Sequence, residues 1–297
     1  MFTGLSAFPL TPMSERGIQE AAFTHLIESL TAARVDAIGA LGSTGSYAYL
    51  TRAERARVAK LAVASAGDTP VMVGIGALRT RDVLTLAEDA QLAGASGVLL
   101  APVSYQNLND DEVFGLYDTV CRALSVPLCV YDNPGTTHFA FSDELHGRIA
   151  QLPQVRSIKI PGVPGDVEAV RARVERLRRL IPSDVTIGIS GDPLAATGLA
   201  AGCDGWYSAI GGLYPRTMLA ITRAAQAGDT EQALALSARL TPLWDSFRQH
   251  GGSLRVIATA AELQGLVSHP SLPLPLKTLE GADRQALANV LETLELE

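Results

Sequence analysis

Among 24 basic residues the sequence contains only three lysines, Lys60, Lys159 and Lys277. A chain that otherwise draws its positive charge from arginine needs a reason for the lysine in Arg156-Ser157-Ile158-Lys159-Ile160-Pro161. Side chains alternate across a strand, so Ile158 and Ile160 take one face and Ser157 and Lys159 the other. With the isoleucines packed under a covering layer, Lys159 points inward, where burial favours its neutral form. A neutral amine adds to a ketone, which a permanently protonated guanidinium cannot do. The chemistry in prospect is Schiff-base formation, set against the plainer reading of a lysine on a solvated strand edge.

Tyr131 closes the preceding apolar run in Leu128-Cys129-Val130-Tyr131-Asp132-Asn133-Pro134. If the two strands are neighbours, its phenol meets the Lys159 amine over one small ligand and can carry the proton that carbinolamine dehydration requires. Its structural reading is a core tyrosine capping a barrel. Gly42-Ser43-Thr44-Gly45 offers converging backbone N–H groups and two hydroxyls for an anion such as a carboxylate. Gly191 lets a ligand approach the backbone, whereas Asp192, before Pro193, reads as a helix N-cap. His138 follows Tyr131 closely enough to face a substrate, and Tyr207 is a further substrate-binding candidate on the last strand. No role falls to His25, His146, His250 or His269.

The elements that must position these groups are eight short apolar runs, at 5–10, 37–41, 71–75, 98–101, 128–131, 157–160, 185–190 and 206–209. Longer amphipathic segments alternate with them, the pattern of strands feeding crossover helices in a parallel sheet. Thr51-Arg52-Ala53-Glu54 is a capping box for one of those helices. Eight repeats without a G-x-G-x-x-G after the first strand favour an α/β (β/α)8 TIM barrel over an open doubly wound sheet. Either way the reactive groups belong at the carboxyl ends of the strands. Residues 1–227 are expected to form the barrel and 228–297 a C-terminal helical extension of three helices, at 231–250, 253–266 and 283–294.

Bulk properties exclude several function classes. A net charge of −7, with no Lys/Arg cluster among aromatics, counts against a nucleic-acid groove, and the run from Arg171 to Arg179 reads as the wet face of a helix. Cys121, Cys129 and Cys203 have no metal-ligand spacing and form no disulfide framework, so no metal is expected and the setting is a reducing one. No segment reads as a membrane span or leader, which makes a cytoplasmic protein the expectation. No cofactor is implied.

Taken in order, Phe8-Pro9-Leu10-Thr11-Pro12-Met13, Gly42-Ser43-Thr44-Gly45, Tyr131-x-x-Pro134, Ile158-Lys159 and Ser190-Gly191-Asp192 resemble the dihydrodipicolinate synthase and N-acetylneuraminate lyase family. The resemblance spans essentially the whole chain. It implies a class I aldolase mechanism in which Lys159 condenses with a 2-oxo acid such as pyruvate. It further implies that Tyr131 relays protons, that Ser43 links that relay to solvent or another phenol, and that Ser43 and Thr44 hold the carboxylate. A homotetramer is implied as well, with a tyrosine entering the adjacent subunit's site. Tyr105 is the nearest candidate, one place from the usual position.

This chain departs from the family pattern where a second substrate would bind. The synthases carry an arginine shortly after Tyr-x-x-Pro, but this chain reads Pro134-Gly135-Thr136-Thr137-His138. The acid that commonly follows the Gly-x-x-Gly turn is Ser46, and the residue after the lysine is Ile160. The expected chemistry is therefore a sugar-acid-type aldol or dehydratase reaction, carbon–carbon or carbon–oxygen lysis, with a hydroxylated, sugar-acid-derived or otherwise neutral aldehyde as partner and Arg79 or His138 the groups able to replace the arginine. Competing readings are a genuine 4-hydroxy-tetrahydrodipicolinate synthase, a phosphate-binding barrel using Gly211-Gly212, and a ligand-binding relative without catalysis.

Overall fold

Each of the eight apolar runs forms a parallel strand in the computed structural model, which describes residues 1–297. They are β1 (Gly4–Ala7), β2 (Ala37–Ala40), β3 (Val71–Gly74), β4 (Gly97–Leu100), β5 (Leu128–Tyr131), β6 (Val155–Ile160), β7 (Thr186–Ile189) and β8 (Gly205–Ser208). β1 pairs with both β2 and β8, so the sheet closes and no strand-order reversal exists at which a doubly wound crevice could open.

The surrounding helices are α1 (Glu20–Ala33), α2 (Arg52–Ser65), α3 (Thr80–Leu92), α4 (Asp110–Cys121), the single turn α5 (Pro134–Thr137), α6 (Asp143–Ala150), α7 (Val167–Arg178), α8 (Ala195–Ala200) and α9 (Pro215–Gln226). Thr51 and Glu54 form the expected capping box on α2, and Asn109 with Glu112 forms another on α4. Asp192 corrects the N-cap reading. Gly191 occupies the cap of the short turn that starts there, and the aspartate carboxylate turns inward.

Burial divides by strand face. Ile158 and Ile160 join a cluster of 66 buried residues between strands and helices, while Phe8, Met72, Leu99, Ala101, Cys129, Tyr131 and Tyr207 fill the barrel interior. Side-chain alternation thus sends Lys159 inward, as its sequence setting predicts.

Beyond residue 228 the chain is helical apart from the irregular segment 264–280, but the segment 231–250 is two helices rather than one. α10 (Thr230–Arg239) ends and α11 (Thr241–Gln249) begins at Leu240. Pro242 has no N–H to offer the Ala238 carbonyl, which accepts instead from Thr241 Oγ1 at 2.6 Å. With α12 (Ser253–Leu263) and α13 (Gly281–Leu294), four helices stand where three are expected. α10 packs on α8 and α9, whereas α12 returns to the barrel mouth. There Ala258 and Ala261 pack with Leu10, Leu26, Val267 and Leu272. Buried Glu262 anchors α12 further, accepting from Ser271 N and Oγ (3.1 and 2.9 Å) and from Arg284 Nη1 (2.7 Å).

Candidate active site

The strand register sets the central pair. Tyr131 at the end of β5 lies directly opposite Lys159 at the end of β6. Parallel neighbours share one inward direction at matched positions, so amine and phenol face the same space. The Lys159 Nζ lies 4.0 Å from the Tyr131 ring centroid, 4.1 Å from that of Phe8 and 5.7 Å from that of Tyr207. Phe8 is seated there because Gly42 has no side chain: a Cβ would stand 2.6 Å from the Phe8 ring. That is the local use of Gly42, and the left-handed residues of the turn are Leu41 and Ser46.

Lys159 is 5 % exposed, and burial depresses its pKa from the ordinary 10.5 to about 8, against the opposing pull of the nearby Cys129 and Asp192. About a tenth of the amine is then neutral at pH 7, orders of magnitude more than for a solvated lysine. The rate of imine trapping with pyruvate and excess hydride reductant is therefore expected to rise with pH and level off above about 8. A rate still climbing past pH 10 would show a lysine of ordinary acidity.

Tyr131 accepts a hydrogen bond from Asn133 Nδ2 at 2.8 Å and lies 3.3 Å from Ser43 Oγ. Burial raises its pKa, opposed by the Ser43 and Asn133 contacts, so the phenol keeps its proton at neutral pH. With Asn133 donating to the oxygen, that proton is left to pass to Ser43 or a ligand. Beside it, the backbone N–H groups of Ser43 and Thr44 make no hydrogen bond within the chain, nor does the Thr44 hydroxyl. They form a small set of free donors suited to a carboxylate.

These groups share a cavity of about 690 Å³, within the usual range for small-molecule sites. Gly191 borders it with φ +80°, a conformation that a side chain would strain. Asp192 is the only acid in the lining. Its buried carboxylate accepts from Trp206 Nε1 (3.0 Å), Ser208 Oγ (2.9 Å) and the backbone N–H groups of Ala209 (3.2 Å) and Ile210 (3.0 Å).

His138, Arg79 and the Gly211-Gly212 pair lie otherwise than expected, whereas Tyr207 lines the cavity. Tyr207 lies at the site, but its hydroxyl is 2.6 Å from Ser157 Oγ and accepts from Cys129 Sγ at 3.5 Å, so the ring serves as floor. His138 is exposed and outside the cavity, because the turn of α5 ends on it at φ +61° and swings it outward. Arg79 is also exposed and outside. Tyr105 is 91 % exposed and does not reach this chain's own cavity. The Gly211-Gly212 pair has no free donors for a phosphate, since Gly211 N donates to Ser208 Oγ and Gly212 N to the Ala209 carbonyl. No three His, Cys, Asp or Glu side chains converge to hold a metal ion, and no helix is long and apolar enough to cross a membrane.

Residues 1–294 match the model of the dihydrodipicolinate synthetase family. The chain belongs to that family. Its members are lyases of the class I aldolase type, and this chain is such an enzyme. A 4-hydroxy-tetrahydrodipicolinate synthase from Hyphomonas neptunium is 32 % identical over 246 residues, 82 % of either chain. The crystal structure of a dihydrodipicolinate synthase from Agrobacterium tumefaciens is 45 % identical, with a TM-score of 0.94 over 99 % of this chain and 98 % of that one. A chloride-inhibited dihydrodipicolinate synthase from Acinetobacter baumannii, solved with pyruvate, is 25 % identical over all of both chains, with a TM-score of 0.89.

Sequence reasoning missed Asn133, Phe8 and Arg255, which also lines the cavity. Asn133 was within reach as an amide two residues past Tyr131. Phe8 stands out in sequence only as the head of the Phe8-Pro9-Leu10-Thr11-Pro12-Met13 run, with nothing local to place its ring beside Lys159, and Arg255 comes from a distant part of the chain with no local signal.

Proposed function

We propose that Lys159 forms a Schiff base with pyruvate or with a 2-oxo acid that releases pyruvate, in an aldol-type reaction with a hydroxylated, sugar-acid-derived partner. The observation that carries this reading is the buried amine of depressed pKa set between the Phe8 and Tyr131 rings. The neutral amine adds to the 2-oxo carbon, and the carbinolamine loses water with the Tyr131 proton. In the cleavage direction the protonated imine draws in the electron pair of the C3–C4 bond as the C4 hydroxyl gives up its proton. The enamine then takes a proton at C3, and water releases pyruvate. Free donors on Ser43 and Thr44 suit the substrate carboxylate.

The partner's identity rests on the surroundings of α5. The arginine that would bind a semialdehyde's carboxylate is absent, and of the residues in its place only Thr136 and Thr137 border the cavity. Thr137 Oγ1 donates to the Asn133 carbonyl, while Thr136 Oγ1 accepts from Asn133 Nδ2, an arrangement that suits substrate hydroxyls. Exposed Tyr105 fits a residue covered by another copy in the tetramer that the family implies.

Incubation with pyruvate and borohydride is expected to add a reduced pyruvyl group to the Lys159 peptide, read as a mass shift. Labelling at Lys60 or Lys277 instead, or no labelling with any 2-oxo acid, overturns the mechanism. In steady-state assays a 2-oxo-3-deoxy sugar acid is expected to outperform pyruvate plus aspartate semialdehyde. A semialdehyde kcat/KM of about 10⁴ M⁻¹s⁻¹ or more would make the chain a genuine 4-hydroxy-tetrahydrodipicolinate synthase.

A further inference from the structure

Three basic side chains line the cavity, Lys159, Arg248 and Arg255, against the single acid Asp192. Asp192 is saturated by its four donors. Arg248 is mostly exposed and ion-paired with Asp245. Arg255 differs from both: it is half-buried on the first turn of α12, and its guanidinium makes no hydrogen bond or ion pair within the chain. A half-buried arginine without a partner retains five donors and a full charge that water only partly solvates. Its placement is firm, because α12 is held by the Glu262 contacts and by its packing against Leu10, two residues beyond Phe8.

We propose that Arg255 is a specificity-determining residue that binds an anionic group at the end of the partner distant from the Schiff base. This rests on the aldol reading above and narrows its substrate class from any hydroxylated partner to one ending in a carboxylate. The 2-oxo acid end engages Lys159, Ser43 and Thr44, the hydroxylated middle passes the neutral wall at Thr136, and the far carboxylate meets Arg255. The expectation of a neutral partner is thereby revised: the anion-binding arginine is supplied by the C-terminal extension instead of the loop after Tyr131.

The test uses two six-carbon 2-oxo-3-deoxy acids of matched stereochemistry, one with a carboxylate at C6 and one with a hydroxymethyl group. The intact protein is expected to favour the diacid in kcat/KM. Arg255→Met is expected to lower the diacid-to-monoacid ratio by about 10- to 100-fold, the usual worth of charge-assisted hydrogen bonds, mainly through KM. Arg255→Lys should restore part of it, and Arg248→Met, which removes a rim cation already paired, should change the ratio far less. An intact protein that favours the monoacid, or an equal fall with Arg248→Met, overturns the proposal. So does a ratio that Arg255→Met leaves unchanged. Failure of the Schiff-base reading is a separate result, seen as absent pyruvate trapping in the unaltered protein.

Discussion

Lys159→Met is expected to eliminate the trapped pyruvyl adduct and to lower kcat/KM by about 10⁴-fold or more, since no other group in the cavity can form the covalent intermediate. The same substitution is expected to stabilise the fold. At pH 7 the native state holds a mostly protonated amine whose pKa has fallen from 10.5 to about 8. At about 1.4 kcal/mol per pKa unit, the burial penalty is on the order of 3 kcal/mol. That penalty is fully present below about pH 8 and is relieved as the pH rises from 8 towards 10.5, where the native amine is neutral and the unfolded one still charged. Urea denaturation of both proteins at pH 7 and pH 10 checks this, with the advantage of Lys159→Met shrinking at the higher pH. Residual trapping in the variant would assign the imine to another amine. A variant less stable at pH 7 would show that the aromatic rings compensate the buried charge.

Tyr131→Phe is expected to slow imine formation by about 10²- to 10⁴-fold, the usual contribution of a positioned acid or base. Only one oxygen is removed, and the ring still packs with Phe8, Met72 and Cys129, so the fold should persist. The loss breaks the contacts to Ser43 and Asn133 together, leaving the carbinolamine hydroxyl without its proton donor. Stopped-flow measurement of trapping separates this step from carbon–carbon cleavage. An unchanged rate would leave Tyr131 as packing alone and shift the proton transfer to Ser43 or water.

The barrel and its central pair were legible because both depend on short-range rules. Apolar runs of strand length mark the eight strands, and alternation along β6 separates Ile158 and Ile160 from Lys159. What escaped depends on direction or on distance in the chain. An aspartate before a proline has the same local signature whether it caps a helix or, like Asp192, turns inward to gather donors from the end of β8. The outward swing of His138 follows from a positive φ at the end of a four-residue turn, which no hydropathy pattern encodes. The Tyr207 hydroxyl is committed to Ser157, a partner visible only once the barrel has closed. Arg255 reaches the cavity through a helix whose own sequence reads as a distal extension.

The return of α12 over the barrel mouth separates two kinds of inheritance along the chain. The strand registers that hold Lys159 against Tyr131 are complete before Gly228, whereas one wall of the same cavity is written after it. Drift or exchange confined to the last quarter of the chain can therefore redirect which molecules are accepted while the covalent chemistry passes unaltered from one descendant to the next.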